Sequence, residues 1–168
     1  MVARLYRTGP CAIIAAGIFP DAEVDAAELS PDALEVARIN VDEHDLADRV
    51  NLLEGDLFDA VEGRTYDLII SNPPYVAGGE VQAFPPEYGH EPVMAHLGGE
   101  DGLDLVRRIL AAAADHLNPG GGLLCEIGTG RERLVDDYPQ LDFLWLDTEE
   151  SEGEVFWITR EQLLEAGV

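Results

Sequence analysis

Two consecutive prolines close the apolar run Tyr66-Asp67-Leu68-Ile69-Ile70-Ser71, and they restrict what that run can be. Neither Pro73 nor Pro74 has an N–H to give to a ladder, and each ring fixes its own φ, so a buried strand must end before them in a stiff turn. In the turn Asn72-Pro73-Pro74-Tyr75, carbonyl acceptors outnumber donors. That balance suits one task well: gripping an –NH2 group by both hydrogens while its nitrogen lone pair attacks an electrophile. Asn and Pro also end strands with no further purpose, and the turn taken alone is compatible with that plainer role.

The run is one of several. Strand-like and helix-like segments alternate, which predicts an α/β fold with a mostly parallel sheet, helices on both faces and an antiparallel last strand. Residues 22–28 read as a strand. Ser30 then caps a helix whose first position is Pro31 and whose inner stripe is Leu34, Ala37 and Val41. Residues 50–54 and 66–71 are further strands, the first followed by the loop Gly55-Asp56-Leu57-Phe58. Residues 76–101 are Pro- and Gly-rich and irregular, and loops of that length are usually functional. A helix with Leu103, Val106, Leu110, Ala113 and Leu117 on one face is expected to stop at Asn118-Pro119-Gly120. Strands at 123–127, 143–146 and 154–159, and a short helix at 131–138, complete the pattern.

At 168 residues the chain fits one domain with a proper core. It carries 34 acidic residues against 10 basic ones, all arginine, for a net charge of −24. Such a surface argues against direct nucleic-acid binding, which needs a basic face. It would attract a basic protein partner, or else it reflects a proteome-wide habit such as salt adaptation. No apolar run is long enough to span a bilayer and no leader pattern opens the chain, so a cytoplasmic protein without a membrane partner is expected. Cys11 and Cys125 have no metal-type spacing, which predicts buried free thiols and no metal site. His44, His96 and His116 are expected at the surface or at helix ends.

With these elements in order, the chain resembles the catalytic domain of a class I S-adenosylmethionine-dependent methyltransferase. More narrowly, it resembles the family that methylates the side-chain amide of glutamine in translation proteins. The resemblance runs from about residue 11 to 164 and rests on residues 25–34 (DAAELSPDAL), 55–59 (GDLFD), 72–76 (NPPYV) and 98–105 (GGEDGLDL). Residues 86–92 (PEYGHEP), together with the stretches 138–146 and 160–163, are most similar to the branch acting on ribosomal protein L3. The release-factor enzymes are the second candidate.

The resemblance implies S-adenosylmethionine as the methyl donor and a protein substrate. It implies that Asn72, Pro73, Pro74 and Tyr75 form the catalytic turn, with Asn72 and the Pro73 carbonyl on the two amide hydrogens and Tyr75 as an apolar wall. Glu28 would accept ribose hydroxyls beside Leu29. Asp56 would accept the adenine amino group, with Leu57 against the ring. Thr8 and Gly9 would belong to the cofactor loop, and Glu91 would anchor the long loop or order the substrate glutamine.

The chain departs from this family in two respects. The helical domain that precedes the catalytic domain in the family is not expected within these 168 residues. The first strand, which in the family ends in a pattern like Asp-Leu-Cys-Thr-Gly-Ser-Gly, here reads Leu5-Tyr6-Arg7-Thr8-Gly9-Pro10-Cys11. A one-base shift of codons for Leu-Tyr-Arg restores Cys-Thr-Gly, so a frame error or degenerate start before Cys11 is expected. Arg4 and Arg7 would then face a sulfonium site and weaken cofactor affinity and activity. Two other readings remain open: an adenine-N6 or guanine-N2 nucleic-acid methyltransferase, whose target amino group fits the same turn, and a catalytically dead binding module.

Overall fold

The computed structural model describes residues 2–5, 8–74, 99, 101–147 and 152–168. It contains one seven-stranded sheet. In chain order the elements are β1 (Val2–Leu5), α1 (Thr8–Ile18), β2 (Val24–Glu28), α2 (Pro31–Glu43), β3 (Val50–Glu54), β4 (Tyr66–Ser71), α3 (Asp104–Ala113), β5 (Leu117–Glu126), α4 (Arg131–Asp137), β6 (Leu144–Leu146), β7 (Val155–Thr159) and α5 (Arg160–Ala166). Short 3-10 turns lie at Leu57–Val61, Ala114–His116 and Gly128–Gly130. The strand order is β3-β2-β1-β4-β5-β7-β6, and β7 runs antiparallel to both β5 and β6.

Each face of the sheet has its own apolar layer. On one, the small residues Ala12, Ala15 and Ala16 let α1 approach Val24 and Ala26 closely, with Val41 of α2 and Val50 beside them. On the other, Leu105, Val106, Ile109 and Leu110 of α3 and Leu163 of α5 pack over Tyr66, Ile69, Leu123, Phe156 and Ile158. The expected inner stripe of α2 is buried as read, and Ser30 caps the helix by accepting from the Ala33 N–H. α1 has no basic residue in its last turn. Arg49 supplies one from across the chain, donating to Ala16 O at 3.1 Å and Pro20 O at 2.9 Å, which satisfies carbonyls that a helix end leaves open.

Several expectations are corrected. α3 ends at Ala113, and Leu117 opens β5 opposite Tyr66 instead of closing the helix. Asn118-Pro119-Gly120 lies within β5, where two steps along β4 correspond to five along β5. That irregularity absorbs the Pro-Gly turn, so pairing to β4 overrides the helical period at Leu117. Gly122 packs under Trp157 so closely that a Cβ there would lie 2.2 Å from the ring. The stretch read as the loop 55–58 runs at Leu57 and Phe58 into a 3-10 turn that extends to Val61. α5, which the sequence reading missed, follows β7 with a capping box between Thr159 and Gln162. Both thiols are free, but Cys11 is only half-buried, whereas burial pushes the Cys125 thiol well up. His44 caps the C-terminus of α2. His116 ends the short turn before β5 and stacks on Phe58; His96 lies outside the described residues.

Asp25 is buried in the middle of the sheet at 1% exposure. Its carboxylate accepts from Asn51 (2.9 Å), Arg64 (2.8 Å) and the Tyr66 hydroxyl (2.8 Å), so one side chain ties β2 to β3 and to the start of β4. Burial pushes this carboxyl up, but the hydrogen bonds from Arg64, Asn51 and Tyr66 outweigh it and hold the group below its ordinary value. At the start of α3 the hydrogen bond from Arg107 brings Asp101 down to about 2. Both groups take up protons more readily in the unfolded chain. Their contribution to stability is therefore complete above about pH 4 and drains away as pH falls toward 2. Denaturant titrations across that range should show the loss. Asp25→Asn should cost roughly 2 kcal/mol at neutral pH, less than a fully buried pair because Arg64 is 44% exposed, and should flatten the acid dependence.

Candidate functional site

The carboxyl ends of the parallel strands share one edge of the sheet. Register fixes this: Leu5 lies opposite Ala27 on one side and Ser71 on the other, and Ser71 lies opposite Cys125. The residues that follow, Glu28, Asn72 and Glu126, therefore line up along that edge. In open α/β sheets this is where ligands bind.

Glu28 is 2% exposed, and its Oε1 accepts the Ser30 N–H at 3.0 Å, so the residue that caps α2 also orients the carboxylate. Leu29 beside it is exposed. The Gly55 N–H donates to the Glu28 carbonyl at 3.1 Å, which ties the loop after β3 to the end of β2. In that loop Asp56 Oδ2 pairs with Arg108 of α3 at 2.8 Å, while Oδ1 is buried and has no hydrogen-bond partner among the described residues. Leu57 follows in the left-handed region at φ 52°, a conformation that costs a branched side chain of order 1–3 kcal/mol and clusters at functional sites. Its side chain is 3% exposed and packs in the core, while Leu29 is exposed.

Asn72 lies just past the end of β4. Its Nδ2 donates to Glu126 Oε2 at 2.8 Å, and its Oδ1 is buried without a partner among the described residues. Pro73 is buried and Pro74 half-buried. Thr8 and Gly9 form the first turn of α1, directly beyond β1. Tyr75, Glu91, Tyr6, Arg7 and the stretch 86–92 lie outside the described residues. The structure thus gathers Glu28, Asp56 and Asn72 at one edge. It adds Arg108 and Glu126, which the sequence reading missed. Glu126 had a legible signal: like Glu28, it is a carboxylate ending an apolar strand run. Arg108 had none, because its pairing crosses 52 positions of sequence.

The comparisons agree with this geometry. Residues 8–84 match the family model described as Methyltransferase small domain. A methyltransferase from Pyrococcus furiosus superposes with a TM-score of 0.66 at 21% identity, over 94% of this chain and 72% of that one. The chain therefore has a methyltransferase-like α/β fold, and residues 8–84 carry the sequence match to that family model. Its sequence is similar to proteins named ribosomal protein uL3 glutamine methyltransferase. It is 56% identical over 156 residues to that of Bradyrhizobium diazoefficiens, covering 93% of this chain and 49% of the relative. It is 53% identical over 157 residues to that of Neisseria gonorrhoeae, covering 94% and 52%. The chain thus spans about half the length of these relatives. No helix among the described residues is long and apolar enough to cross a membrane.

The loop after β3 has no spare room. A Cβ at Gly55 would meet the Ala60 Cβ at 2.8 Å and its Cα at 3.0 Å, because the 3-10 turn folds back over it. Gly55→Ala should displace the turn and cost about 1–3 kcal/mol, read as a lowered denaturant midpoint.

Proposed function

We propose that the domain methylates the side-chain amide nitrogen of a glutamine in ribosomal protein uL3, with S-adenosylmethionine as donor. The observation that carries this reading is the buried Oδ1 of Asn72 at the end of β4, which has no partner among the described residues. A buried acceptor without a donor costs roughly 1–3 kcal/mol, and here an incoming N–H would recover that cost. The naming of the relatives as uL3 glutamine methyltransferases supports the choice of substrate.

The residues present fit the donor. Glu28, buried at a strand end and oriented by Ser30, suits a pair of ribose hydroxyls; Asp56 Oδ1, buried and unpartnered among the described residues, suits an exocyclic amino group. Leu29 offers apolar cover beside them, and Thr8 and Gly9 belong to the same edge. When bound, S-adenosylmethionine supplies a methyl group carried on a positive sulfonium. An amide nitrogen is a poor nucleophile because its lone pair is delocalised. Asn72 Oδ1 and the Pro73 carbonyl would accept its two hydrogens, hold the –NH2 in one plane and turn the lone pair outward. Pro74 stiffens that grip, so most of the rate gain would come from positioning. We assign Tyr75 as the apolar wall and Glu91 to anchoring the long loop or ordering the substrate glutamine. The net charge of −24 suits a basic ribosomal protein better than a nucleic acid.

Incubation with purified uL3 and labelled donor, followed by mass spectrometry, tests the reading. The expected product is a single methylated glutamine. Asn72→Ala should lower kcat by about 100-fold or more while donor affinity changes little. Methyl transfer to RNA, or none to uL3 and release factor alike, would overturn it.

A further inference from the structure

We propose that Glu126 is a positioning residue whose carboxylate fixes which way round the Asn72 amide sits. The inference rests on the glutamine-methylation reading for its catalytic consequence, but the orientation itself follows from geometry. A primary amide has nearly the same shape after a half-turn about its last bond, yet the turn exchanges an acceptor for a donor. In one orientation Asn72 offers the substrate –NH2 an acceptor. In the other it offers two N–H groups that repel it.

Packing does not distinguish the two orientations, but Glu126 does. A carboxylate oxygen can only accept, so the group 2.8 Å from Glu126 Oε2 must be the Asn72 NH2. Oδ1 then points away from Glu126, where it is buried and without a partner among the described residues. Both residues are held by the sheet. Ser71 and Cys125, which immediately precede them, are register partners of β4 and β5, and Glu126 also pairs with Val155 of β7. Beyond it, the Ile127 N–H donates to the Glu154 carbonyl at 2.8 Å, so the end of β5 is anchored on both sides. Charge-assisted hydrogen bonds are about twice as strong as neutral ones, which leaves the wrong orientation a small minority.

Two substitutions test this on the whole chain. Glu126→Gln keeps the shape but can meet Asn72 with either a donor or an acceptor, so the amide loses its fixed orientation. The expected result is a roughly 10- to 100-fold fall in kcat, with affinity for S-adenosylhomocysteine within about twofold of the parent. Asn72→Asp sets carboxylate against carboxylate and should be worse. Combining it with Glu126→Gln restores a donor facing an acceptor and should recover part of the lost rate. NMR of the Asn72 side-chain amide reads the orientation without catalysis: one amide proton should be shifted downfield in the parent and revert in Glu126→Gln. An unchanged amide signal or kcat in Glu126→Gln overturns the proposal, as does loss of folding or of S-adenosylhomocysteine binding together with turnover. If the parent shows the shifted amide proton but methylates no glutamine, the assigned reaction fails while the orientation stands.

Discussion

The sheet is continuous only because the four residues Val2–Leu5 pair on both sides, in parallel, with β2 and with β4. Remove that strand and β3-β2 separates from β4-β5-β7-β6. Its register also sets the level of the functional edge. With Leu5 opposite both Ala27 and Ser71, the strands that flank it end at the same height, about 10 Å apart at ordinary strand spacing. A one-residue slip of β1 would break the alignment.

Polar groups are treated in opposite ways at the two ends of β2. Toward its start, Asp25 is buried but has three donors from three other segments. At the carboxyl edge, Asp56 and Asn72 each leave a buried oxygen without a donor among the described residues. Among the described residues, a deeply buried carboxylate is fully satisfied while two acceptors at the carboxyl edge are unmet, which concentrates unmet hydrogen bonding where a ligand can supply it. The left-handed Leu57, directly after Asp56, adds backbone strain beside one of them.

Much of this was legible in the sequence, for local reasons. Ser30-Pro31 marked the start of α2, the stripe Leu34, Ala37 and Val41 marked its buried face, and the double proline marked the end of β4. Glu28 and Asn72 could be singled out because a polar side chain directly after a buried strand has few other roles. What escaped was set by contacts distant in sequence. Leu117 fits a helical period as well as a strand, and its pairing with Tyr66 decided between them. The Asp25 hub joins Asn51, Arg64 and Tyr66, none of which carries a local pattern. Glu126 was visible as a strand-end carboxylate, but its role depends on the neighbouring end of β4. Asn72 and Glu126 are 54 positions apart in the chain.

A calorimetric titration of the chain with S-adenosylhomocysteine, beside an Asp56→Ala variant, tests most directly whether the unmet acceptors at this edge are ligand groups. The account predicts one saturable site in the parent and binding about tenfold or more weaker in the variant, from loss of a buried acceptor. Equal binding by both, or no heat from a parent chain that is demonstrably folded, would contradict it.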